Sequence, residues 1–107
     1  MKTTKDSLTA QMGAVADPAR RRILAFLKEK GCCSLGRKTG LCACDVEQRM
    51  QLSQPTISHH MQVLTRAGLV QAEKHGRWRW YRRNEEALRR LLNALKDSLY
   101  NFFAVTY

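Results

Sequence analysis

Acidic residues are scarce in this chain: nine Asp and Glu stand against nineteen Lys and Arg, a formal charge of +10 over 107 residues. A surplus of that size points to a polyanionic partner, nucleic acid first. Long apolar runs are missing too. Nothing approaches the roughly 18 consecutive apolar residues of a membrane span, and the opening MKTTKDSLTAQMG lacks the apolar core of a secretory signal, so a cytoplasmic protein without a membrane partner is expected. There is no internal repeat and no Pro, Ser or Gln tract. The length excludes a barrel enzyme or a pair of dinucleotide-binding domains and predicts a single domain over residues 1–107. Hydrophobic residues still make up 44% of the chain, so it is a folding domain and not a basic disordered tail.

Helical spacing dominates what is present. Leu8, Met12 and Val15 recur at helical intervals over about residues 5–15. Asp17-Pro18 then restarts the chain, because Asp caps helices well and Pro is tolerated in the first turn, giving a helix from Pro18 to about Glu29 with Ile23, Leu24 and Leu27 inward. The stretch GCCSLGRKTG, residues 31–40, is a loop. Asp45 is expected to cap a short helix from Val46 to about Gln51, and Ser53 to cap another from Gln54 to Ala67 that closes at Gly68. That second helix turns Ile57, Met61 and Leu64 inward and Gln54, Thr56, Ser58, His59 and Gln62 outward. Leu69 to Lys74 and Trp78 to Arg83, separated by His75-Gly76-Arg77, form a hairpin pattern. The last helix, Glu85 to about Phe103, carries Leu88, Leu91, Leu92, Leu95, Leu99, Phe102 and Phe103 on one stripe. So small a domain cannot bury so long a stripe. A homodimer is expected, with residues 5–15 and 85–103 as dimerisation helices.

Short helix, tight turn, second helix with small polar outward side chains, then a basic hairpin: the fold class is mainly α with a β-hairpin wing, a winged helix-turn-helix. Gln, Ser, Thr and His are short enough to approach base edges and can donate and accept hydrogen bonds there. Cations lie elsewhere, with Arg66, Lys74, Arg77, Arg79, Arg82 and Arg83 facing only Glu73 over residues 66–83. That division assigns base contacts to the helix and phosphate contacts to the wing of a protein bound to double-stranded DNA. On that helix, DNA contact or local packing accounts for His59 and His60 better than metal ligation, and Trp78, Trp80 and Tyr81 are read as cross-strand packing.

Four thiols, Cys32, Cys33, Cys42 and Cys44, fall within thirteen residues. Cytosolic thiols stay reduced, so such a cluster points to a metal or redox site before a disulfide framework. Soft thiolates select arsenite, antimonite, cadmium, lead, mercury, copper(I) or zinc, and the absence of oxygen ligands argues against magnesium and calcium. Three thiolates suit trivalent arsenic, and four suit cadmium or zinc. A structural zinc site usually spaces its ligands Cys-x2-Cys, which is missing here, and a regulatory disulfide through the same residues is the other reading. Lys30, Arg37 and Lys38 flank the cluster and are expected to favour thiolate. No acid and base pair accompanies the cysteines, so an enzyme is not expected.

The stretches Ala16-Asp17-Pro18-Ala19-Arg20, Leu41-Cys42-Ala43-Cys44-Asp45-Val46, Leu52-Ser53-Gln54-Pro55-Thr56-Ile57-Ser58-His59-His60-Met61, Ala67-Gly68-Leu69-Val70 and Gly76-Arg77-Trp78-Arg79-Trp80-Tyr81 together resemble the ArsR/SmtB family of metal- and metalloid-responsive repressors, over about residues 14–83. The Leu-Cys-x-Cys-Asp pattern ahead of the helix-turn-helix resembles that family's thiol sensor. The resemblance implies a homodimeric repressor that sits on a near-palindromic operator while its sensor is empty and lets go when the inducer binds. It implies DNA contact by Gln54, Thr56, Ser58, His59, Arg77 and Arg79, and it makes Cys42 and Cys44 the sensor pair, joined by Cys32, Cys33 or both. Arsenite is the favoured inducer because the resemblance is closest to the arsenic-sensing branch. Antimonite, cadmium, lead and zinc are the alternatives. The family's second sensor position, built from His, Asp and Glu on the C-terminal helices, is not matched, since no histidine follows His75.

Overall fold

A computed structural model of the chain describes residues 4–29, 40–76 and 78–100. Lys30, Cys32, Cys33, Arg37, Lys38, Arg77, Phe102 and Phe103 lie outside the described residues. Helices α1 (Thr4–Val15) and α2 (Pro18–Phe26) come first, then strand β1 (Leu41–Cys42), α3 (Ala43–Met50), α4 (Gln54–Arg66), the hairpin β2 (Val70–His75) and β3 (Trp78–Arg83), and α5 (Glu85–Tyr100). The strands form one antiparallel sheet in the order β1-β3-β2.

The caps explain where the helices begin and end. Asp17 Oδ1 accepts the Ala19 N–H at 2.7 Å and opens α2, and this bond is the main reason its carboxyl is held below the usual carboxylate range. Ser53 accepts from the Thr56 N–H and opens α4. At the other end of α4, Gly68 takes φ +78°, which lets its N–H bond Thr65 and lets the Leu69 N–H reach back to Leu64 at 3.1 Å. These two bonds satisfy carbonyls that the helix end would otherwise orphan. The tight turn between α3 and α4 is made by Gln51, a non-glycine residue at φ 56°. Asn84 caps α5 by accepting from the Ala87 N–H, while its own Nδ2 donates to the Gly68 carbonyl, so the exits of α4 and of the wing are pinned together.

The core is one cluster in which Ile23, Leu24 and Leu27 meet Val46, Met50, Ile57, Met61, Leu64, Leu69 and Tyr81. The inward stripe expected of α4 is buried as read from the sequence, and Asp45 is corrected. Pairing of Cys42 with β3 fixes extended backbone there, so α3 starts immediately afterwards with Cys42 as its N-cap and Asp45 as its third residue. Against α1 and the core, α5 buries only Leu91 fully, whereas Leu92 and Leu99 are each 65% exposed and Tyr100 is 78% exposed. Among the described residues no helix is long and apolar enough to cross a membrane.

Candidate nucleic-acid interface and thiol site

Helix α4 presents Gln54, Thr56, His59 and Gln62 to solvent and leaves Ser58 half-buried. Between α3, α4 and β3 lies a concavity of about 250 Å³ lined by Ala43, Glu47, Gln54, Ser58, Arg79 and Tyr81. Three of the residues singled out from the sequence, Gln54, Ser58 and Arg79, are therefore brought to one hollow. A second hollow on the other side of Arg79 is lined by Gln62, Thr65, Arg66 and Ala72. Thr56 is partly engaged, since its hydroxyl lies 2.8 Å from that of the capping Ser53.

The wing's cations divide into two groups. Arg79 is exposed at both hollows. Arg83 instead donates to the Leu24 carbonyl at 3.1 Å and pairs with Glu85 at 3.0 Å, and Arg82 donates to Gln71 at 2.8 Å and lies 3.9 Å from Glu73. Of the wing cations, Arg83 thus ties the hairpin to α2, whereas Arg79, singled out above for DNA contact, is exposed beside α4. The tie of Arg83 depends on which carbonyl comes within reach after folding, which no local pattern encodes.

His59 is exposed, whereas His60 is 8% exposed and its Nδ1 lies 3.1 Å from Arg20 Nη1. A guanidinium only donates, so Nδ1 accepts and the ring is neutral with its proton on Nε2. Burial is the main reason the His60 imidazole is held below its ordinary value of 6.5; Asp17 pulls the other way, and the cationic Arg20 adds a smaller lowering. Arg20 also donates to the Ala14 carbonyl at 2.7 Å, so the reading helix is tied to the α1–α2 junction through this pair.

The thiols stand at the opening of α3. Cys42 is buried and Cys44 exposed, and the ligand atoms of Cys42, Cys44 and Asp45 all lie within 4.8 Å of one another. Asp45, only 1% exposed, accepts the Cys42 backbone N–H at 3.4 Å and the Cys42 thiol proton at 3.3 Å. Thiolates shared by one ion at zinc-like bond lengths of about 2.3 Å stand at most about 4.6 Å apart, so a modest rotation of the exposed Cys44 closes the set. The expectation of a donor set without oxygen is corrected here, since Asp45 brings a carboxylate to the two sulfurs, and its place in Cys-x-Cys-Asp is the available signal. Cys32 and Cys33, outside the described residues, belong to a segment whose base is fixed: the Gly40 N–H donates to the Glu29 carbonyl at 3.0 Å, and Glu29 pairs with Arg49 of α3 at 3.2 Å. Cys32 stands three positions after Glu29, a reach of up to about 10 Å.

Comparison with known proteins gives a consistent result. A helix-turn-helix domain family matches residues 15–71. The arsenical resistance operon repressor of Staphylococcus aureus is 44% identical over 81 residues, covering 76% of this chain and 69% of that protein. An HTH-type transcriptional regulator of Methanocaldococcus jannaschii is 40% identical over 68 residues, covering 64% of this chain and 67% of that protein. Among solved structures, a possible transcriptional regulator for arsenical resistance superposes with a TM-score of 0.66 at 34% identity, over 85% of this chain and 84% of that one. An ArsR-like regulator from Rhodococcus sp. reaches a TM-score of 0.75 at 23% identity, over 96% and 89%, a likeness of fold.

Proposed function

Because this chain belongs to the ArsR family of winged-helix transcriptional regulators, we propose that it is a cytoplasmic homodimeric repressor released from operator DNA when arsenite binds Cys42, Cys44 and a third thiol from Cys32 or Cys33. The observation that carries this reading is that the Cys42–Cys44 pair and the DNA-facing concavity share one short helix: Ala43, between the two cysteines, lines the same hollow as Gln54, Ser58 and Arg79. Binding exchanges three As–O bonds of arsenous acid for three As–S bonds. Each thiol proton leaves with a hydroxide as water, and arsenic stays trivalent. Closing three sulfurs on one atom pulls the start of α3 toward the 30–39 segment and changes the angle at which α3 supports α4.

In this reading Gln54, Thr56, Ser58 and His59 face the major groove, and Arg77 and Arg79 face phosphate. Two reading helices of a dimer then sit about one DNA turn apart, roughly 34 Å. The exposed Leu92, Leu99 and Tyr100 of α5, with Met12 of α1, supply the apolar surface for the dimer contact.

One observation favours a second inducer class. The Asp45 carboxylate beside both sulfurs suits a borderline ion such as cadmium, lead or zinc better than trivalent arsenic, which prefers three sulfurs. Titration of operator complexes with arsenite, antimonite, cadmium, lead and zinc separates the readings. Arsenite-driven release that survives Asp45→Asn and is lost in Cys42→Ser and Cys44→Ser supports the first. Release by cadmium alone, lost in Asp45→Asn, replaces it with the second, and release by none of the five refutes both.

A further inference from the structure

We propose that Trp80 is the positioning residue through which occupancy of the Cys42–Cys44 thiols reaches the DNA-facing concavity, with Gly40 seated against its ring as the other half of the contact. The inference rests on the thiol-sensing reading above and adds the route by which the signal leaves the sulfurs.

Three observations meet at this residue. Cys42 stands directly opposite Trp80 in the β1–β3 ladder, and β1 is only two residues long, with β3 as its one neighbour in the sheet. Cys42 therefore cannot be displaced without either leaving the ladder or carrying β3 with it. The indole is buried, 3% exposed, and the chain entering the thiol site runs hard against it. Gly40 has φ +118°, and a Cβ placed there would lie 2.4 Å from Trp80 Cζ2, 2.7 Å from Cε2 and 2.7 Å from the Tyr81 carbonyl oxygen. Only a residue without a side chain fits, and no slack remains between backbone and ring.

Consider a pull on the Cys42 sulfur. It cannot be absorbed by settling of the chain at Gly40, because the ring already fills the space there. It is delivered to β3 at Trp80. Side chains alternate across a strand, so the residues flanking the buried Trp80 are Arg79 and Tyr81, and both line the hollow that holds Gln54 and Ser58. A smaller ring at position 80 leaves a gap into which the Gly40 segment can relax, so the sulfurs can close on an ion while Arg79 stays where it was.

The test uses the full chain, arsenite, and a DNA duplex that the wild-type protein recovers from a random-sequence pool. Arsenite binding is followed by the sulfur-to-arsenic absorbance and DNA binding by anisotropy. In the wild type, saturating arsenite lowers DNA affinity by a factor in the ordinary range for coupled sites, about 5–150-fold. In Trp80→Phe both single affinities stay within about threefold of wild type, but the arsenite effect on DNA falls below about twofold, which is the loss of coupling without loss of either site. In Trp78→Phe, where Trp80 is the remaining tryptophan, indole emission changes with the same half-saturation as the absorbance. Full coupling in a folded Trp80→Phe, or Trp80 emission indifferent to saturating arsenite, overturns the inference. Should Trp80→Phe not fold, the emission of Trp78→Phe and the coupling in Trp80→Tyr, expected to be intermediate, decide it. A wild-type protein whose DNA affinity ignores arsenite refutes the functional reading itself, a failure distinct from that of Trp80 alone.

Discussion

Replacing Gly40 by Ala tests the tightest contact in the molecule. The added carbon would sit 2.4 Å from a ring atom of Trp80, about 1 Å inside the optimal separation of ~3.5 Å for two carbons. The ring cannot step aside, since it is buried, and the third neighbour is a backbone carbonyl oxygen. Overpacking of this kind costs about 1–3 kcal/mol, and a backbone angle that side chains rarely adopt adds about 1–3 kcal/mol. The sum, about 2–6 kcal/mol, is a large part of the ~5–15 kcal/mol that holds a domain of this size together. At ~4–8 °C per kcal/mol, Gly40→Ala should melt at least about 8 °C below wild type by circular dichroism at equal protein concentration. Two other glycines calibrate the number. Gly68 has φ +78° but nothing within 4 Å of its would-be Cβ, so Gly68→Ala carries only the backbone cost of about 1–2 kcal/mol. Gly13 lies inside α1, also with nothing within 4 Å, and Gly13→Ala should stabilise by about 0.5–1 kcal/mol. A Gly40→Ala protein as stable as Gly68→Ala would refute the reasoning, because the clash would then be worth nothing.

Arg79→Ala should weaken binding to all duplexes alike and reduce the slope of log affinity against log salt by about one, as loss of one phosphate contact does, whereas Gln54→Ala should relax preference at a single base pair; the reverse assignment in a binding-site selection would displace the reading helix. Because the His60 imidazole is held below 6.5, the unfolded chain binds its proton first, so stability is full above that pH and falls as the pH drops through the folded value. Urea midpoints between pH 7.5 and 5 should show this fall in the wild type and a flatter profile in His60→Gln, and parallel profiles would remove His60 from the account. Leu92→Glu should leave the fold intact while shifting sedimentation toward a monomer and weakening operator binding more than tenfold, since an exposed Leu contributes little to the core of one chain but a buried charge is costly at an interface; an unchanged dimer would place the contact elsewhere.

How much of this was legible beforehand depends on how local the cause is. Helices α2 and α4 were readable because Asp17-Pro18 and Ser53 with Pro55 are caps acting within three residues, and the Gly68 ending follows from one backbone angle. The stripe Ile57, Met61 and Leu64 follows from periodicity alone. Strand β1 was not readable, since two residues carry no pattern and their extension comes from a partner some forty positions away. That omission moved the start of α3 and hid the role of Asp45, which faces Cys42 only because β3 holds Cys42 in place. The family resemblance set Arg79 apart, but the partners of Arg82 and Arg83 were beyond reach for the same reason: like residues in one hairpin differ only in what the fold puts beside them. His60 is half legible, because its place on α4 allows packing, but its partner Arg20 sits forty residues earlier.

The bond from Gly40 to Glu29 has an evolutionary corollary. It works as a clasp: whatever lies between the two residues begins and ends at one fixed point on the fold. Lengthening such a segment is thermodynamically mild, about 0.6 kcal/mol for each doubling, and the clasped ends keep the change from spreading into α2 or α3. Under the thiol-sensing reading proposed above, exchanging the intervening decapeptide for one of different length and donor atoms would change the chemical trigger while leaving the DNA-facing surface of α4 as it is.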